Sequence, residues 1–255
     1  MSNYSDVPLL KKPVWTWEVP LYFFVGGAAG AAAMIGVAAQ FGGADRKLVR
    51  DARWIAAGGA VVATPLLIAD LGRPERFLNM LRVFKLQSPM SVGAWTLAAF
   101  GGASTIAIVS DVAAVASAAA GLVMATYTGV LLGATAIPVW KEHAAILPIH
   151  FGASALATAA SLLELLGHDD KALARLASAA AATETAIGVQ IEARGGTDVT
   201  TRIGGMFSGP LPLILRLVGS PKTRKAAAAS ALLGSLITRV AWVEAGKASA
   251  ERSRA

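Results

Sequence analysis

Charge vanishes from this chain over stretches long enough to cross a lipid bilayer. Val19 to Phe41 is 23 residues without Asp, Glu, Lys or Arg. At about 1.5 Å per helical residue, such a run spans the roughly 30 Å of bilayer hydrocarbon. Met90 to Ser110 and Val112 to Trp140 are equally free of charge. Trp54 to Ala69 is a shorter run closed by Asp70, and Ala144 to Leu166 carries one acid, Glu164. Backbone groups immersed in hydrocarbon must pair within their own segment, so these five runs predict transmembrane helices.

The later part of the chain is less regular. Ala172 to Ile191 is Ala-rich and helical in pattern, with Arg175 and Glu184 inside it. Ile203 to Leu217 is interrupted by Gly204, Gly205, Gly209, Pro210 and Pro212, the pattern of a short span, a broken one or an interfacial segment. Ala226 to Val243 reads as a last span, with Arg239 near enough to its end to snorkel. The expected fold is therefore all-α: a polytopic transmembrane helix bundle of about eight helices. It forms one integral membrane domain over residues 1–255, with an N-terminal tail at 1–14 and a C-terminal tail at 247–255.

Composition agrees. Apolar residues make up 55% and charged residues 15%, where a soluble domain carries about 25% charged residues. There is no cysteine, which excludes a disulfide-stapled secreted domain and thiolate metal sites. The formal net charge is +7, and the cations fall in short clusters between apolar runs. Arg46, Lys47, Arg50 and Arg53 form one; Arg73, Arg76, Arg82 and Lys85 another; Lys222, Arg224 and Lys225 a third. Basic loops meeting anionic lipid headgroups account for this better than nucleic-acid binding. Lys and Arg divide almost evenly between the two sides of such a bundle, so charge asymmetry sets no orientation.

Glu18, Tyr22, Gly26 and Gly30 recur every fourth residue, placing a carboxylate and a phenol above a smooth small-residue surface on one helix face. A flat redox-active ring fits such a face, its oxygen accepting from Tyr22 and its proton exchanged with Glu18. An aromatic belt explains Trp15, Trp17 and Tyr22 equally well, and an acid complementing the helix dipole explains Glu18. Gly26/Gly30 and Gly129/Gly133 are GxxxG pairs suited to close helix packing.

Asp70 to Lys85 reads DLGRPERFLNMLRVFK. Gly72 suits a helix C-cap, and Pro74 the first turn of a new helix. Phe77, Met80, Leu81 and Phe84 form a stripe, with Arg76, Asn79 and Arg82 facing elsewhere. The pattern predicts an interfacial amphipathic helix near 74–85. Asp70 is either half of an ion pair with Arg73 or Arg76, or a proton-exchanging acid beside a quinone pocket. Tyr127 lies in the fourth apolar run and needs a hydrogen-bond partner from protein or ligand. Glu164 and Glu184 are membrane-embedded acids, candidates for proton movement or for salt bridges. His143 and His150 lie at one end of the fifth span and His168 at the other, an arrangement unsuited to a bis-His haem; without cysteine the chain supplies no Fe–S ligands either.

Four segments, WEVPLYFFVGGAAG (17–30), DLGRPERFLNMLRVFKLQSPMSVGAW (70–95), YTGVLLGATAIPVW (127–140) and TRVAWVEAGKASA (238–250), resemble the NrfD/PsrC family, integral membrane subunits of molybdopterin-dependent oxidoreductase complexes. The resemblance implies an eight-helix bundle without haem in the cytoplasmic (inner) membrane. It implies a quinone or quinol (menaquinone or ubiquinone) bound near a ferredoxin-like Fe–S subunit, with a molybdenum or tungsten pterin subunit beyond. By position it implies Glu18, Tyr22, Asp70, Arg73 and Tyr127 around the quinone; with the residues' own chemistry, the expected site has Asp70 and Glu18 for proton exchange and Trp17, Tyr22, Arg73, Arg76 and Tyr127 for quinone binding. The alternative is a membrane transporter or proton-conducting bundle using Glu164, Glu184 and the broken segment near 204–212.

Overall fold

A computed structural model describes residues 13–73, 75–195 and 198–252. Pro74 and the tail residues 1–12 lie outside the described residues. Among the described residues the regular structure is all helical. The helices are α1 (Glu18–Phe41), α2 (Arg46–Asp70), α3 (Glu75–Arg82), α4 (Pro89–Ile106), α5 (Asp111–Gly133), α6 (Pro138–Glu142), α7 (Leu147–Leu165), α8 (Lys171–Arg194), α9 (Val199–Ser208), α10 (Pro210–Val218) and α11 (Pro221–Arg252). Four of them, α1, α2, α5 and α11, are each long and apolar enough to cross a membrane. The chain is a multi-pass membrane protein.

Helix starts follow local chemistry. Asp45 accepts from the Lys47 backbone N–H at the head of α2, Ser88 caps α4, Ser110 caps α5 and Asp170 caps α8. The Asp45 cap begins α2 eight residues before the apolar run at Trp54, so its first two turns are charged. Gly72 has a φ of +66° and turns the chain toward α3, whose Phe77, Met80 and Leu81 are partly buried as the apolar stripe requires, whereas Phe84 lies beyond the helix end at Arg82 and is exposed.

Two expectations are corrected and an open one is resolved. The fourth apolar run is not one helix to Trp140. α5 stops at Gly133, and Ile137 is extended (φ −71°, ψ 124°) because the following Pro138 disfavours helical backbone before it. Of the readings open for 203–217, the structure has the broken one: two short helices interrupted at Gly209, with Pro210 opening the second. The last helix does not end near Val243 in a tail from 247. The Ala-, Lys- and Glu-rich stretch through Arg252 has high helix propensity and continues α11. Arg239 is consequently mid-helix and does not snorkel; it is 1% exposed.

The bundle is centred on α1, which packs most extensively on α2 and α5 and also meets α7 and α11. Gly30 and Gly121 bring the backbones of α1 and α5 into contact: a Cβ on either would strike the other's carbonyl oxygen. Gly129 and Gly133 do the same for α5 against Leu147 and Ala144 at the start of α7. The small-residue face of α1 is therefore filled by Gly121 and Met124 of α5, and a ring has no room to lie over Gly26 and Gly30.

Candidate functional site

At the membrane level where α1 and α4 begin and α2 and α5 end, these four helices and α3 enclose a cleft. Its polar groups are Tyr22, Asp70 and Tyr127; its walls include Trp15, Val19, Phe23, Leu66, Leu67, Met80, Met90, Gly93 and Leu131. The Tyr22 hydroxyl is buried and has no hydrogen-bond partner among the described residues. A buried phenol left unpaired in its folded host is a group awaiting a ligand or a water. The hydroxyl end of the Tyr127 ring lies against Gly93 of α4; a Cβ there would strike it, so glycine at 93 is what lets the phenol reach the cleft. Asp70 lies at the mouth, facing the Thr16 backbone and Glu18.

The cleft has room of about 30 Å³, about one water molecule's worth. A flat ring enters only when the wall side chains move. Met80 and Met90 stand at that wall, and unbranched thioether chains rearrange at low cost. Met80 rides on α3, an eight-residue helix with no fully buried residue, so this wall is the least tightly held.

The structure thus brings three of the residues singled out above to one place and leaves others outside. Trp17 caps the start of α1 and points away, 67% exposed. Trp15, three residues before the helix, folds inward, stacks on Trp140 at 5.2 Å and meets Phe23 edge-on at 6.1 Å. Glu18 accepts a short hydrogen bond from the Thr16 hydroxyl and sits beside the mouth without lining the cleft. Asp70 forms no ion pair with Arg73 or Arg76 among the described residues. Arg76 instead donates to the Leu71 carbonyl at 3.2 Å, tying α3 to the end of α2, and Arg73 is exposed.

The two embedded acids lie elsewhere and differ from each other. Glu164 is paired with Arg216 of α10 at 2.6 Å, and Arg216 also donates to Ser161 at 3.1 Å. Glu184 has neither oxygen hydrogen-bonded. It borders a separate cavity of about 340 Å³ between α7, α8, α9, α10 and α11, together with His150, Glu192, Arg202 and Trp242. His150 Nδ1 and Trp242 Nε1 are buried and unpartnered as well. Behind them Arg239 donates to the Ser154 and Ser235 hydroxyls at 2.6 Å each and sits 5.1 Å over the Phe151 ring.

A match to a protein family covers the first helices of the cleft. Residues 7–109 match the family described as Polysulphide reductase, NrfD. The NrfD match covers α1 to α4, and with them Tyr22, Asp70, Met80 and Gly93. The resemblant segments at 127–140 and 238–250 lie beyond it. No curated protein matches the chain at a significant level. Both this partial match and the helical architecture fit a multi-pass membrane protein.

Proposed function

We propose that the chain is a quinone-reactive membrane subunit of an oxidoreductase complex, a single integral domain in the cytoplasmic membrane. It passes electrons between a ferredoxin-like Fe–S subunit, itself served by a molybdopterin subunit, and the quinone pool. The observation that carries this reading is the unpartnered Tyr22 hydroxyl sharing a membrane-level cleft with Asp70, also inside the NrfD-matched region, and with Tyr127 beyond it. Reducing a quinone to a quinol takes two electrons and two protons. The chain has no cysteine to ligate a cluster, so the electrons come from the partner. The phenols donate hydrogen bonds to the ring oxygens, the apolar walls exclude water, and Asp70 at the mouth exchanges protons with the surface.

The test is quinol-linked turnover by the assembled complex. Gly93→Val displaces Tyr127 and is expected to cost about tenfold in kcat/KM, the worth of one directed hydrogen bond. Gly101→Val, on the same helix in open space, is expected to leave turnover unchanged. Equal effects of the two would remove Tyr127 from the site.

A second reading, that the bundle also conducts protons, is favoured by the cavity bordered by Glu184. An embedded acid beside a space large enough for several waters is a candidate carrier. Glu184→Gln is expected to leave quinol oxidation in detergent intact while abolishing proton movement in liposomes, read with an internal pH dye. Unchanged proton movement would dismiss this reading. Glu164, closed off by Arg216, is assigned a structural role.

A further inference from the structure

On the membrane face opposite the quinone cleft, the end of α1 and the starts of α2 and α5 enclose a third cavity, of about 370 Å³. Three arginines of α2 line it: Arg46, Arg50 and Arg53. Arg53 forms its floor, donating to Gln40 of α1 at 2.6 Å and to Asp111 of α5 at 2.5 Å, while its Nε remains buried and unpartnered. Arg50 reaches only its neighbour Asp51, at 3.3 Å, and its side chain is 64% exposed. Arg46 is exposed and without a partner among the described residues. Against these three guanidinium groups stand the Asp111 carboxylate in the cavity and that of Asp51 beside Arg50, which leaves the cavity cationic.

We infer that this cavity binds the phosphodiester headgroup of an anionic membrane lipid. Guanidinium groups are forked donors matched to phosphate oxygens. The surroundings select a lipid over a soluble anion. Trp54, at the cavity wall, is exposed in the position of an interfacial anchor. Phe41, Val109 and Val112 stand out from the surface around the same helix ends, 77%, 88% and 82% exposed. Apolar side chains so bare at this level need acyl chains to cover them, and the cations beside them need a phosphate. A lipid satisfies both at once. This inference is independent of the quinone assignment, since it concerns the other membrane face.

The test uses the purified full-length protein in detergent, with dioleoylphosphatidylglycerol, dioleoylphosphatidylcholine and inorganic phosphate as probes, read by native mass spectrometry and thermal unfolding. Phosphatidylglycerol is expected to remain bound and raise the melting temperature, and phosphatidylcholine to do neither. The double variant R46Q/R50Q removes two exposed cations and is expected to weaken phosphatidylglycerol binding about thirtyfold. Its melting temperature in phosphatidylcholine should match the unsubstituted protein, which verifies that it folds. K222Q/K225Q, altered in the first turn of α11 outside the cavity, is expected to bind phosphatidylglycerol normally. Equal binding of the two lipids, equal losses in the two double variants, or stabilisation by inorganic phosphate alone would each overturn the inference.

Discussion

Replacing Asp70 by Asn is expected to lower quinol-linked turnover of the assembled complex by about a hundredfold or more, the usual worth of a positioned proton-transfer group. Asn keeps the size and the hydrogen-bonding reach of the side chain and loses only the ability to take and give a proton. The loss should therefore fall on kcat, with KM nearly unchanged. Tyr22→Phe should behave differently. It removes a donor to the ring oxygen without touching proton exchange, at a cost of about tenfold in kcat/KM. Electron transfer from the partner to a soluble acceptor should survive in both variants, which separates a broken quinone site from a failed assembly. Asp70→Asn with full quinol turnover would move proton exchange to another group, Glu18 being the neighbour at the mouth.

Arg216→Leu is expected to destabilise the protein by about 3–5 kcal/mol, because it strands the Glu164 carboxylate in the interior. Both side chains are almost wholly buried, 4% and 8% exposed, and they meet at 2.6 Å. The double variant Glu164→Leu/Arg216→Leu should recover most of that loss, since two apolar side chains of similar size replace a pair whose desolvation nearly cancels its attraction. Unfolding of each variant in mixed micelles gives the cycle directly. If the double variant is as unstable as the single, the ion pair is more than a local clasp between α7 and α10.

Much of the fold is visible in the sequence because a bilayer allows few alternatives. An uncharged run such as Val19 to Phe41 has one physical outcome, and α1 matches it to within one residue. What misled was reliance on hydropathy alone. Pro138 already marks the break after α5, but the absence of charge through Trp140 hides it. The polar stretch after Val243 looks like a tail, yet its Ala, Glu and Lys are strong helix formers, and that continuation is why Arg239 is buried.

The candidate site was legible in its polar residues and not in its walls. Tyr22, Asp70 and Tyr127 stand out as polar groups in apolar runs. Met80, Met90 and Gly93 do not, because methionine and glycine are ordinary in such helices. Trp15 and Trp17 exchange roles because helix α1 starts at Glu18: the residue at its edge is turned outward, and Trp15, three residues before the helix, is free to fold back onto Trp140. The Glu164–Arg216 pair joins positions 52 apart in sequence, a partnership that only the packing of α7 against the broken segment creates.

The most direct test of the central claim is photolabelling of the complex with an azido-quinone, followed by peptide mapping. The account predicts label on the peptides bearing Tyr22, Met80, Met90 or Tyr127, displaced by excess unlabelled quinone. Label confined to residues 184–206 around the Glu184 cavity, or label that excess quinone does not displace, would contradict it.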